Sequence, residues 1–194
     1  MAICDIILLG QPVSGSYYDL SSFGAMEYIS PLRANIGSTV GLFCAFFICF
    51  GFWHLKRVFE PVNPKLAMLL FISLCSVEFF GGAFHAAYYF ISNTHNMSAQ
   101  ANFLYPSTVD NFKGHLEILS YLGVPGFLIG TILFFKLALN KRFPAWFRYA
   151  NPLILCGVIM LIFMVLPAPI GGYLKPTFVN LGLASMFLLS LKTA

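Results

Sequence analysis

The stretch KLAMLLFISLCSVEFFGGAFHAAYYFIS, residues 65–92, decides the fold. It is long enough to cross a bilayer, because a transmembrane helix needs about 20 mostly apolar residues. Two ionisable residues, Glu78 and His85, lie inside this run. Such residues are rare in transmembrane helices and commonly functional, because a charge in hydrocarbon is costly. The stretch therefore predicts both a membrane-spanning helix and the place to look for a functional site.

The composition extends this conclusion to the whole chain. Hydrophobic residues make up 59% of the 194 residues, charged residues only 9%, and the mean hydropathy is +0.81. This is too little polar surface for a soluble globule, so we predict one domain, 1–194, that is an all-α, polytopic transmembrane helix bundle in contact with the lipid bilayer. Hydropathy predicts five complete spans, at about 34–55, 66–91, 116–138, 151–170 and 177–191.

The basic residues indicate how the chain is oriented. The net charge is +4, but the lysines and arginines are dispersed over short connections and do not form a soluble basic face, which excludes nucleic acid as a partner. Most of them flank the first connection, the third connection and the C-terminus. By the positive-inside rule these three parts are predicted to be cytoplasmic, in an integral membrane protein.

The connections and small residues predict how the spans pack. The short segment 60–65, EPVNPK, contains two prolines and predicts a tight hairpin between the first two spans. Residues 11–33 and 93–114 are polar and are expected to be loops on the outer side. Gly37, Gly41 and Ala45 are spaced four apart and predict a close approach of another helix.

The five cysteines are predicted to be small buried hydrophobic side chains. They are Cys4, Cys44, Cys49, Cys75 and Cys156, and all lie in or beside apolar segments without C-x-x-C spacing.

Depth along the helices brings several polar residues to one level. At 1.5 Å per residue, Glu78 lies about 20 Å and His85 about 30 Å above the start of their helix, so His85 belongs to the outer rim and Glu78 lies deeper. His115, Glu117 and Asn180 are expected at the outer level as well. We therefore predict a ligand-binding site that consists of Glu78, His85, His115, Glu117 and Asn180, with Asp5, Asp110 and Lys175 as neighbours.

Three functions fit this pattern. The first is binding or transport of a small molecule or lipid in an outward-facing cavity, with Glu78 as the polar anchor. The second is intramembrane metal-dependent hydrolysis, because His85, His115 and Glu117 carry the ligand types that zinc accepts. The third is a structural or assembly role without a ligand. No cofactor motif is evident, so the sequence does not decide whether the chain is an enzyme, and it carries no signal of an oligomeric state.

Two segments resemble an uncharacterised family of bacterial polytopic integral membrane proteins. They are residues 5–30, DIILLGQPVSGSYYDLSSFGAMEYIS, and residues 151–182, NPLILCGVIMLIFMVLPAPIGGYLKPTFVNLG. The resemblance implies a location in the bacterial plasma membrane but no activity. It also implies that residues 1–10 are the end of a truncated first helix, with Asp5 near the outer end of that helix.

A shorter segment is similar to a motif of membrane hydrolases related to alkaline ceramidases. In those enzymes a serine shortly precedes Phe-His, and Gly82–His85 reads Gly-Ala-Phe-His. Here glycine stands at the serine position, and the C-terminal histidine pair that completes the zinc site of those enzymes is missing. We therefore do not assign the chain to that family.

Overall fold

The chain folds into helices throughout the part that the structure describes. A computed structural model describes residues 2–10, 29–100, 106–167 and 169–193, and within these ranges it contains no β-strand. The all-α prediction is thus confirmed. The helices, in chain order, are α1 (Ala2–Leu9), α2 (Pro31–Phe59), α3 (Pro64–Gln100), α4 (Pro106–Ala138), α5 (Pro152–Met164), α6 (Ile170–Leu174) and α7 (Phe178–Ser190). Short 3₁₀ turns at Phe147–Tyr149 and Lys175–Thr177 precede α5 and α7.

Three of the helices are long and apolar enough to cross a membrane. They are α2, the Pro64–Thr94 part of α3 and the Gly114–Ala138 part of α4. These segments coincide with the spans that hydropathy predicts at 34–55, 66–91 and 116–138. They are characteristic of an integral membrane protein.

The last two predicted spans correspond to shorter helices. α5 and α7 have 13 residues each, which at 1.5 Å per residue is about 20 Å. α5 begins where the span 151–170 was expected, but it ends at Met164. For the span 177–191, α6 and a 3₁₀ turn precede α7 without a break, so the helical run extends from Ile170 to Ser190. The count of five complete spans stays a prediction.

The connection between the second and third predicted spans is mostly helical in the described residues, so the expectation of a loop over 93–114 was wrong. α3 continues to Gln100 and α4 already begins at Pro106. Hydropathy indicates where the bilayer ends, but a helix can continue beyond that point until a residue such as proline interrupts it. Residues 93–100 contain neither glycine nor proline, so nothing in them ends α3. Proline is favoured at the first position of a helix, which explains the start of α4.

The start of α2 corrects the end of the loop that we predicted before the first span. We predicted a loop over 11–33, whereas α2 begins at Pro31. The hydroxyl of Ser30 accepts a hydrogen bond from the backbone N–H of Arg33, so Ser30 is the N-cap and proline occupies the first helical position. The remainder of that prediction, 11–28, lies outside the described residues.

A tight hairpin joins α2 and α3, as the two prolines predict. Only Glu60–Asn63 separate the helices. Lys56 Nζ donates to Glu60 Oε1 at 2.7 Å, and Arg57 Nη1 to Glu60 Oε2 at 3.2 Å. The hydrogen bond from Lys56, together with the charges of Lys56 and Arg57, lowers the pKa of Glu60. Since Glu60 is partly open to solvent, this cluster fixes the geometry of the turn more than it stabilises the fold.

An aromatic cluster fills the bundle at the hairpin end. The rings of Phe59, Phe134, Phe143 and Phe147 lie 5.2–5.7 Å apart, and all four side chains are buried. Offset and edge-to-face pairs of this kind stabilise by about 0.5–1.5 kcal/mol each beyond the area that they bury. The cluster fastens the 3₁₀ turn that contains Phe147 against α2 and α4.

Small residues let the long helices approach closely, as predicted. Gly37, Gly41 and Ala45 are buried on α2, where they face α1 and α3. On the other side of α3, Gly126 of α4 lies against Ser76 and the backbone carbonyl of Ser73. A Cβ atom at Gly126 would come within 2.7 Å of that carbonyl oxygen.

The first prediction concerns this contact. Gly126→Ala should lower the stability by about 1–3 kcal/mol, because the added methyl group overpacks a rigid backbone contact. Gly157→Ala on α5 is the matched control, since nothing lies within 4 Å of a Cβ atom there; alanine should be neutral or slightly stabilising in that helix. Thermal unfolding of the purified protein in detergent measures both effects. Equal melting temperatures for the two variants would contradict the close α3–α4 packing.

Candidate functional site

The carboxylate of Asp5 joins three helices in the interior. Its Oδ1 atom lies 3.2 Å from His85 Nε2 of α3, and its Oδ2 atom accepts a hydrogen bond of 2.5 Å from Asn180 Nδ2 of α7. Only 3% of Asp5 is exposed. A buried carboxylate needs paired partners, and here α3 and α7 each provide one. The structure thus brings together two predicted site residues, His85 and Asn180, through a third that we had expected only as a neighbour.

The imidazole of His85 is held between α1 and α2. It packs over Gly41, where a Cβ atom would lie 3.1 Å from its Cγ and Nδ1 atoms. The Nδ1 atom is buried and has no hydrogen-bond partner among the described residues. The same holds for the hydroxyl of Ser38, one turn before Gly41 on α2. The absence of a side chain at position 41 therefore makes room for the ring.

Arg33 fixes the position of α1. From the first turn of α2, its guanidinium donates hydrogen bonds to the carbonyl oxygens of Ile6, Ile7 and Gly10. The distance to the Ile6 oxygen is 3.1 Å. The last carbonyls of a helix have no partner within the helix, and a cation at that end also interacts favourably with the helix dipole. Leu8 of α1 packs against Gly37. These contacts hold Asp5 at the depth of His85.

Glu78 makes no hydrogen bond to this cluster within the described residues and lies beside a groove between α2 and α3. It is 5% exposed, and its Oε2 atom is buried without a hydrogen-bond partner in the described part of the chain. The groove has a volume of about 1040 Å³. Its walls are aromatic and aliphatic, and its polar groups are a carboxyl, two thiols and a hydroxyl; it is lined by Leu42, Phe43, Ala45, Phe46, Cys49, Ile72, Cys75, Ser76, Glu78, Phe79, Phe80, Gly82 and Ala83. Hereafter we call it the Glu78 groove.

A second groove lies on the other side of α3, among α3, α4, α5 and α7. It has a volume of about 490 Å³ and an almost entirely apolar lining that includes Gly81, Gly123 and Gly157. Phe80 borders both this groove and the Glu78 groove. The ring of Phe80 therefore lies at the boundary of two apolar spaces.

The other predicted site residues lie on the surface. His115 and Glu117 are exposed on α4, whereas His85 is buried. Across the ranges that the structure describes, no three His, Cys, Asp or Glu side chains are close enough to share a metal ion. The zinc site of His85, His115 and Glu117 stays a prediction to which the geometry adds no support.

The central role of Asp5 had only a weak signal in the sequence. Its partners are 80 and 175 positions away, so no local spacing connects them. The hint was an acidic residue within the apolar run of 2–9. Arg33 gave no such hint, because an arginine at the start of a span is common at the membrane interface.

Comparison with known proteins places the chain in a family. The model of a family of unknown function, DUF6796, matches residues 1–194. The chain belongs to this family. The match confirms the expectation of an uncharacterised family, and it covers both segments on which that expectation was based. Searches of curated proteins and of solved structures gave no match, so the site of this DUF6796 member is interpreted from its own geometry.

The second prediction tests the coupling of Asp5 to His85. Asp5→Asn and His85→Gln should each lower the free energy of unfolding. The double variant should lose about 0.5–3 kcal/mol less than the sum of the two single losses, because the second change removes a contact that is already lost. Thermal or denaturant unfolding of the two single variants and the double variant gives this coupling energy. Glu117→Gln, at an exposed carboxylate, is the control. Additive effects would show that the pair does not interact.

The third prediction tests whether the hydrogen bonds of Arg33 stabilise α1. Arg33→Met removes the donors to three carbonyl groups, so the amides of 2–10 should exchange hydrogen about 10-fold faster or more. Hydrogen–deuterium exchange followed by mass spectrometry measures this rate. Arg142→Met, in the exposed connection between α4 and α5, should leave it unchanged. Equal exchange in both variants would contradict the assigned role.

Proposed function

We propose that the protein binds a lipid-like molecule in the Glu78 groove, with Glu78 as the polar anchor. The observation that carries this proposal is the Oε2 atom of Glu78, which is buried beside an open apolar groove and has no partner among the described residues. Buried polar groups in proteins nearly always have a hydrogen-bond partner, and one that lacks it calls for an explanation. A ligand with a hydrogen-bond donor would be the missing partner of this oxygen.

The position of the groove favours a ligand that enters from the bilayer. Glu78 lies 14 residues after Pro64, or about 21 Å along α3, and the hydrocarbon core is about 30 Å thick. In the topology that we propose, five spans cross a bacterial plasma membrane, and the hairpin at 60–63 and the C-terminus are cytoplasmic. Glu78 is then in the outer half of the bilayer, at a depth that lipid chains reach and free solutes do not.

The lining of the groove defines the class of ligand. Phe43, Phe46 and Phe79 present aromatic surface, while Glu78 presents a hydrogen-bond acceptor. A long hydrocarbon chain with a hydroxyl or amine group matches this combination, because the chain buries apolar area while the head group donates to the carboxylate. A fatty acid matches less well, because its carboxyl group would meet no basic side chain in the lining of the groove.

The fourth prediction tests this assignment with photoreactive probes. The full-length protein, reconstituted in lipid nanodiscs, is exposed to C16 diazirine analogues of a long-chain amine, alcohol and fatty acid. We expect the amine and the alcohol to label residues of the Glu78 groove and the fatty acid to label them far less. Glu78→Leu should reduce the labelling by the amine and the alcohol about 10- to 100-fold, the value of a hydrogen bond to a charged group.

Two further variants make the test specific. Glu78→Gln keeps an acceptor but cannot ionise to pair with an ammonium group, so it should retain labelling by the alcohol and lose labelling by the amine. Glu117→Leu removes a carboxylate from the surface of α4 and should change neither. If Glu78→Leu and the unmodified protein are labelled equally in the groove, Glu78 is not the anchor. Labelling that is spread evenly over the surface would contradict a binding site altogether.

A further inference from the structure

Two of the cysteines that the sequence presents as small hydrophobic side chains face each other across a helix interface. Cys4 of α1 and Cys44 of α2 have their Sγ atoms 3.8 Å apart, and both are free thiols. Cys4 is 1% exposed, and Cys44 is half-buried. The two residues are 40 positions apart in the chain, so no sequence motif announces the pair.

The geometry of the pair suits a metal that takes two ligands in a line. Metal–thiolate bonds are about 2.3 Å long, so a cation between two opposed sulfurs separates them by about 4.6 Å. The thiols need to move apart by less than about 1 Å to reach this spacing from 3.8 Å. Soft thiolate ligands select Cu(I), for which two sulfurs in a linear arrangement are a complete coordination shell.

The surroundings discriminate against other metals. Within the described ranges, no group of three His, Cys, Asp or Glu side chains can hold a metal. Zinc would therefore lack two of the four ligands of a structural site, and harder cations would lack oxygen ligands. Cu(I) needs neither.

One member of the pair borders a groove. Cys44 lines a small apolar groove of about 270 Å³, together with Phe47, Ile48, Gly51 and Phe187. The sulfur of Cys4 lies 3.8 Å from the sulfur of Cys44. Apolar walls exclude water, which would otherwise compete for the cation.

We propose that Cys4 and Cys44 bind one Cu(I) ion between α1 and α2. In this step two Cu–S bonds form and two S–H bonds break, both protons leave to water, and copper remains Cu(I), so no oxidant or reductant takes part. The ion fastens α1 to α2 next to Asp5. The site does not depend on the Glu78 groove, and either proposal can fail without the other.

The fifth prediction tests this site in the full-length chain. In a background variant, serine replaces Cys49, Cys75 and Cys156, so that only Cys4 and Cys44 remain. The detergent-solubilised protein, kept reduced and anaerobic, is titrated with Cu(I) against a coloured Cu(I) chelator. We expect one Cu(I) per chain, and at least about 100-fold weaker binding after Cys4→Ser or Cys44→Ser in this background, since loss of even an outer-shell partner costs 10–100-fold.

Two further measurements exclude indirect effects. X-ray absorption at the copper edge should show two sulfur ligands. Ag(I), which has the same preference for sulfur, should raise the melting temperature of the background variant and not that of its Cys4→Ser derivative. Circular dichroism checks that each variant keeps its helices. The proposal is overturned if Cys4→Ser binds Cu(I) as tightly as the background, if copper shows no sulfur ligand, or if the two thiols form a disulfide even under reducing conditions.

Discussion

The contact of one buried carboxylate with two distant helices determines how the rest of the bundle is arranged. Asp5 lies on α1, of which the structure describes Ala2–Leu9. Its side chain meets His85 of α3 on one side and Asn180 of α7 on the other. α3 and α7 thus hold a common partner although they are far apart in the chain. Arg33 completes the arrangement by donating to carbonyl groups at the C-terminal end of α1, so that α1 is held both at Asp5 and at that end.

The arrangement separates polar from apolar functions within one helix. On α3, His85 turns toward α1 and is engaged by Asp5, whereas Glu78, two turns earlier, borders a wide apolar groove and lacks a partner in the described structure. A polar group that is already paired contributes to folding. A polar group that is buried and unpaired lowers stability unless something binds it. This contrast between the contact of His85 Nε2 and the unpaired Oε2 of Glu78 is why we propose Glu78 as the ligand anchor.

Local patterns in the sequence located the three long helices and the hairpin but not the site. Hydropathy located α2, α3 and α4 because a bilayer requires long apolar runs, and the prolines of 60–65 located the hairpin. It could not show that α3 continues to Gln100, since a helix that leaves the membrane keeps its backbone hydrogen bonds in water. Depth alone grouped His85 with His115 and Glu117, but depth leaves the rotation of each helix open. In the structure, His115 and Glu117 lie on the surface, and the residue that contacts His85 is Asp5.

The ring of Phe80 has a consequence for the size of molecule that the bundle can accommodate. It borders the groove of about 1040 Å³ on one side of α3 and the groove of about 490 Å³ on the other. Gly81 and Gly82 follow it, and on the side of the smaller groove a Cβ atom at Gly81 would meet no atom within 4 Å. Phe80 is the residue that the two spaces share. The size of the side chain at this one position therefore affects the room on both sides of α3.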